Sequence, residues 1–256
     1  MAKEVIVTAD KVKNKKTVVK IVKRSLLILL VFLLILYIVL QIIYNEGRFT
    51  VTLDSNKTLE SGLAIFDSLN NGHGKRKLEA EPMKFMDNIS YKSIPTNIDK
   101  EAEGRHNGNN YIAYTFFVEN QGKEVLNYTY EVIVDDVIKH VDEAIRIRIY
   151  RNGEYVTYAK RNRLDGKPEN KPTPTEPFKS IKESSETIIY EKVENFKPDD
   201  LDRITVVIWL EGDDPDCTDP LIGGEMKMHM VITEIHIEQN KEWKYEEKQE
   251  KQKKKT

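Results

Sequence analysis

Nineteen consecutive residues, 26–44, read LLILLVFLLILYIVLQIIY, an aliphatic run opening at Leu26, closing at Tyr44 and interrupted only by Tyr37 and Gln41. At about 1.5 Å per residue it spans roughly 28 Å, the thickness of the hydrocarbon layer of a bilayer. A core helix of a soluble domain keeps a polar side, and this run has none. The expectation is a membrane-spanning helix with the lipid bilayer as its partner. Residues 1–24 carry Lys3, Lys11, Lys13, Lys15, Lys16, Lys20, Lys23 and Arg24 against Glu4 and Asp10, a net of +6. An excess of cations marks the cytoplasmic flank, so the N-terminus is expected inside the cell and everything after Tyr44 outside. A cleavable signal would end in a small-residue site, whereas residues 40–48 read LQIIYNEGR, so the segment is read as an uncleaved signal-anchor.

The chain has 256 residues, and those beyond the basic tail hold 32 basic and 40 acidic side chains, a net of −8. That balance repels phosphate backbones, so no nucleic-acid partner is expected. The lysines of the tail are expected on anionic lipid headgroups. Cys217 is the only cysteine, so no disulfide can form within the chain. An exported domain without disulfides fits a Gram-positive bacterial surface better than an oxidising animal secretory pathway. The N-x-[ST] sequons at Asn56, Asn88 and Asn127 are no more than chance supplies.

After the anchor the chain alternates with a period of two, the mark of half-buried strands. Residues 111–118 set Ile112, Tyr114, Phe116 and Val118 on one side, and residues 125–134 do the same with Leu126, Tyr128, Tyr130, Val132 and Val134. The two are expected to form a β-hairpin through the turn at 119–123. Residues 144–150 place Ile145, Ile147 and Ile149 inward and, on this reading, Arg146 and Arg148 outward. Asn152-Gly153 then predicts a tight primed turn into a partner strand at 155–159. Residues 164–178 carry Pro168, Pro172, Pro174 and Pro177 and predict an extended surface loop. Residues 187–193 read as a strand, and 203–210 (RITVVIWL) as a central strand covered on both faces. In 225–237 the apolar parity shifts between Ile232 and Ile235, which predicts a β-bulge at Thr233-Glu234. Residues 49–53 read as a strand, 59–69 as a short helix or irregular strand, and 241–256 as a charged tail without a packed core.

These strands, with no βαβ rhythm, predict an all-β domain over 48–240, an antiparallel β-sandwich of the immunoglobulin-like or jelly-roll kind, preceded by the tail (1–24) and the helix (25–44).

The best candidate site is the loop carrying Glu211, Asp213, Asp214, Asp216 and Asp219. Calcium needs six to eight oxygens, and clustered carboxylates on one loop can supply several. The spacing is not that of an EF-hand, and Pro215 restricts how the loop can wrap, so a turn-forming loop is the competing reading and no other cofactor is expected. Cys217, amid these carboxylates, is an unpromising nucleophile. His73, His106, His140, His229 and His236 lack metal spacing, and neither a G-x-S-x-G elbow nor an acyl-enzyme S-x-x-K occurs, so catalysis is not expected. Phe85, Tyr91, Phe178 and Trp243 fall outside the alternation and are candidates for a sugar- or peptide-binding surface.

At Val118-Glu119-Asn120-Gln121-Gly122, and at Trp209-Leu210-Glu211-Gly212 with the acidic loop after it, the chain resembles secreted β-sandwich proteins of Gram-positive bacteria, the TasA and camelysin-like group. The likeness spans about 111–237. It implies a β-sandwich and a role in extracellular assembly of the matrix-fibre kind. That group has cleavable signals, whereas this chain keeps its anchor, and no metal or catalytic residue follows from the likeness. The sequence therefore leads to a membrane-anchored surface module for binding, adhesion or assembly, with an unidentified protein or glycan partner. The alternatives are an accessory subunit of an envelope machine, or an envelope hydrolase without a recognisable motif.

Overall fold

A computed structural model describes residues 9–44, 49–54, 62–71, 74–80, 82–83, 85–162, 165–169, 172, 174–179 and 186–235. The chain forms two compact units, Met1–Glu46 and Gly47–Thr256. The first contains one unbroken helix, α1 (Ala9–Tyr44), about 54 Å long at the usual rise. Its stretch Val18–Leu40 is long and apolar enough to cross a membrane, and every side chain along it is exposed. The backbone does not break between the basic tail and the apolar run.

The second unit is a sandwich of two sheets. The first sheet runs β10 (Thr187–Phe196), β6 (Leu126–Ile138), β12 (Glu225–Ile235), β1 (Thr50–Leu53), β3 (Lys77–Glu79). The second runs β2 (Leu63–Phe66), β5 (Tyr111–Asn120), β11 (Leu201–Leu210), β7 (Ile145–Arg151), β8 (Glu154–Ala159), β9 (Glu176–Pro177), with β4 (Gly104–Arg105) also on β5. Pairing is antiparallel except for β1 with β12 and β8 with β9. One apolar core draws Val51, Tyr128 and Met230 from the first sheet and Ile65, Phe116, Ile147 and Val206 from the second. Both flanks of the sandwich are stitched. Lys75 donates its amide to Ile65 and Leu53 donates to Arg76 on one side, while on the other Phe178 donates to Ala159 and Lys179 to Ile188.

The Asn152-Gly153 hairpin forms as expected. Arg151 faces Glu154, and the turn residues take φ of 54° and 91°. β11 is central, flanked by β5 and β7. Its Ile204, Val206 and Ile208 enter the core, while Val207 and Trp209 face away from it under a second apolar layer. That layer comes from residues 89–98, chiefly Ile94 and Ile98, and leads into a short helix α2 (Ile98–Glu101). Arg203 fastens it, donating to the Asp99 carbonyl through Nε and the Ala102 carbonyl through Nη2, each at 2.7 Å.

Four expectations are corrected. The strands at 111–118 and 125–134 are not a hairpin, because β5 pairs with β11 and β2 while β6 pairs with β10 and β12. Their apolar sides face one core from opposite sheets, so residues 121–125 make an arch. Asn120, fully buried, holds the crossing by donating to the Glu124 and Phe196 carbonyls and accepting the Gly122 amide. Gly62 packs so closely here that a Cβ would lie 2.8 Å from the Gly122 Cα. Second, Arg146 and Arg148 are buried, at 0% and 7% exposure, because the outer face of their sheet is covered. Third, β12 runs without a shift through Thr233, Glu234 and Ile235; Glu234 takes the buried position, and the irregularity lies between Lys227 and Met228, opposite Asp135. Continuous main-chain pairing prevails over the burial of one isoleucine. Fourth, the predicted proline loop contributes the edge strand β9.

Candidate functional site

The acidic loop leaves β11 at Trp209 and folds back against residues 89–91. Ile89 donates to the Leu210 carbonyl and Gly212 to the Ile89 carbonyl, both at 2.9 Å. This places Glu211, with no exposed surface, against three N–H donors: the Trp209 indole at 2.9 Å, the Tyr91 amide at 3.1 Å and the Asp213 amide at 3.2 Å. Asp214 accepts Arg146 Nη2 at 2.6 Å in an ion pair whose side chains are 0% and 1% exposed, and its other oxygen accepts the Asp216 amide at 2.8 Å. Charge-assisted bonds of this kind are among the strongest in proteins, and here they lock the loop onto the sheet.

The candidate calcium ligands therefore divide. Glu211 and Asp214 turn inward to separate partners. Asp213, exposed, accepts the Ser90 hydroxyl at 3.0 Å; Asp216 is half-buried and Asp219 exposed. Among the described residues, no group of three or more histidine, cysteine or carboxylate side chains is placed to hold a metal ion. Cys217 is half-buried and accepts a hydrogen bond from the Asn88 amide nitrogen at 3.4 Å. His106 sits between the carbonyls of Gly104 and Ile98, His229 contacts Asp135, and His140 is an exposed left-handed residue. His73, His236 and Trp243 lie outside the described residues. Of the remaining unassigned aromatics, Phe178 packs against the core and Tyr91 against the outer layer, while Phe85 is 76% exposed.

Two constellations escape the alternation pattern. The first is the surround of Arg148, whose guanidinium carbon lies 4.6 Å from the Tyr155 ring centre, 5.2 Å from that of Trp209 and 6.0 Å from that of Tyr150. The second is an open cleft of about 320 Å³ at one end of the sandwich, lined by Arg151, Asn152, Glu194, Asn195 and Asp200 among others. Asp202 also lines it, accepting the Tyr128 hydroxyl, Asn152 Nδ2 at 2.5 Å and Arg151 Nη1 at 3.2 Å. Burial first, then the Asp202 charge, pushes the Tyr128 hydroxyl far above its ordinary value, so Tyr128 stays a donor. A carboxylate with three donors is a brace for the β7–β8 turn. Its position at the start of the apolar strand β11 is the hint that the sequence offers.

No family model, curated protein or solved structure matches this chain.

Proposed function

We propose that the chain is a single-pass membrane protein of a bacterial surface, its N-terminus in the cytoplasm and its sandwich outside, acting as a binding or assembly module and not as an enzyme. The observation that carries this reading is α1: the apolar side chains of Val18–Leu40 are exposed along the whole segment, and a lipid layer is the environment that removes such a surface from water. The basic flank supports the inward N-terminus. The sandwich supports binding because its reactive-looking groups are already engaged. Glu211, Asp214 and Asp202 hold structural donors, and the hydrogen-bond partner of Cys217 is an asparagine. What it offers is a braced frame carrying loops, the arrangement recognition modules use.

The purified full chain in detergent should adhere saturably to cell-surface polymer while releasing no product from peptide or glycan substrates. Turnover of any member of such a panel, lost on Glu211→Gln or Asp202→Asn, would establish an enzyme instead.

A further inference from the structure

Arg148 is a buried cation to which the described residues supply no counter-ion. Strand pairing sets it between Thr157 on β8 and Val207 on β11, on the covered face of the second sheet. Nε donates to Thr157 Oγ1 at 2.9 Å and Nη1 to the Tyr150 hydroxyl at 3.3 Å, both neutral acceptors. Among the described residues, the hydrogen bonds of Arg148 run from Nε and Nη1 and none from Nη2, and no carboxylate forms an ion pair with it. The neighbouring Arg146 is already matched to Asp214. Glu211, to which the neighbouring Trp209 indole donates, is filled by its three N–H donors.

Burying an ion without a partner is costly, and the rings of Tyr155, Trp209 and Tyr150 offset that only in part through their π faces. The deficit is local and directional. A planar guanidinium with an open Nη2 matches an oxygen acid, and the two hydroxyls that accept from Arg148 each keep a proton to donate to the same group. Tyr155, 52% exposed, adds an accessible ring beside it.

We propose that Arg148 anchors an oxyanion site that takes the carboxylate of a ligand, with the body of that ligand lying against the exposed ring of Tyr155. Acidic sugars and acidic peptide side chains carry this group alike. The inference deepens the binding-module reading by giving the ligand a chemistry.

Thermal unfolding of the full chain in detergent, with sodium acetate, glucuronate, N-acetylglutamate or inorganic phosphate against sodium chloride at equal ionic strength, tests it. The carboxylates should raise the midpoint by roughly 3–5 °C at ten times their dissociation constant, and chloride should not. A larger shift with glucuronate or with N-acetylglutamate identifies the sugar or the peptide as the source. Arg148→Lys, which keeps the charge and loses the fork, should weaken the response at least tenfold, and Tyr155→Leu should weaken glucuronate more than acetate. A wild-type midpoint that ignores every carboxylate, a stronger response to phosphate than to carboxylates, or an undiminished response in Arg148→Lys would overturn the site. The wild-type arms decide even if a variant does not fold. Failure here leaves adhesion to surface polymer, the test of the broader reading, unaffected.

Discussion

Asp214→Ala should destabilise the sandwich by about 3–5 kcal/mol, read as a lower denaturant midpoint at unchanged slope. The loss does not measure the worth of the bond. Arg146 and Asp214 are both withdrawn from water, and their attraction does little more than repay their desolvation. Deleting the acid leaves the Arg146 guanidinium buried beneath the outer layer with its ion pair gone, while Nη1 still donates to the Ile145 carbonyl at 3.3 Å. The Asp216 amide loses its acceptor as well. The double variant Arg146→Met with Asp214→Leu removes both charges and should recover most of the loss. If the single variant is as stable as the wild type, the pair is not buried as described.

Alkaline unfolding should be early and steep. Tyr114, Tyr128, Tyr130 and Tyr158, at most 7% exposed, all have hydroxyl pKa values raised from the ordinary 10.0. Burial is the largest cause in each, followed by Asp67 for Tyr114, Asp202 for Tyr128 and Glu191 for Tyr130 and Tyr158. Below pH 10 both states hold these protons and stability is fully present. Above it the unfolded chain releases them while the folded chain retains them, so stability falls as pH rises. Each such group contributes a slope of about 1.4 kcal/mol per pH unit, and four together about 5.5, enough to consume the roughly 5–15 kcal/mol typical of a domain within about one to three units. Tyrosinate absorbance and circular dichroism should therefore change together above pH 11. Tyrosines that ionise near pH 10 with the sheets intact would refute their burial.

Alternation located β5, β6, β7 and β12, the Asn152-Gly153 turn located β8, and an unbroken apolar run located β11. It could not say which strands pair, since a hairpin and an arch show the core the same apolar side, and β5 and β6 prove to be the arch. Nor could it see that residues 89–98 cover the second sheet, so Arg146 and Arg148 read as solvent-facing when they are the most deeply placed cations of that face. The acidic loop was legible as a feature but not in its role. Composition announces carboxylates, whereas the fold decides that Glu211 meets an indole and amides and Asp214 meets Arg146. Glu234 at a buried position and Asp202 beneath the cleft depend on partners distant in sequence, which local pattern does not carry.

The central claim is that α1 holds the chain in a bilayer with the sandwich outside the cell. Cys217, the only cysteine of the chain, is a reporter for it, and Ile222→Cys in a Cys217→Ser background gives a second at a position 71% exposed. In intact cells a membrane-impermeant thiol reagent should label both forms, and the labelled chain should sediment with membranes. Labelling that requires permeabilised cells, or recovery of the chain in the soluble fraction, would contradict the account.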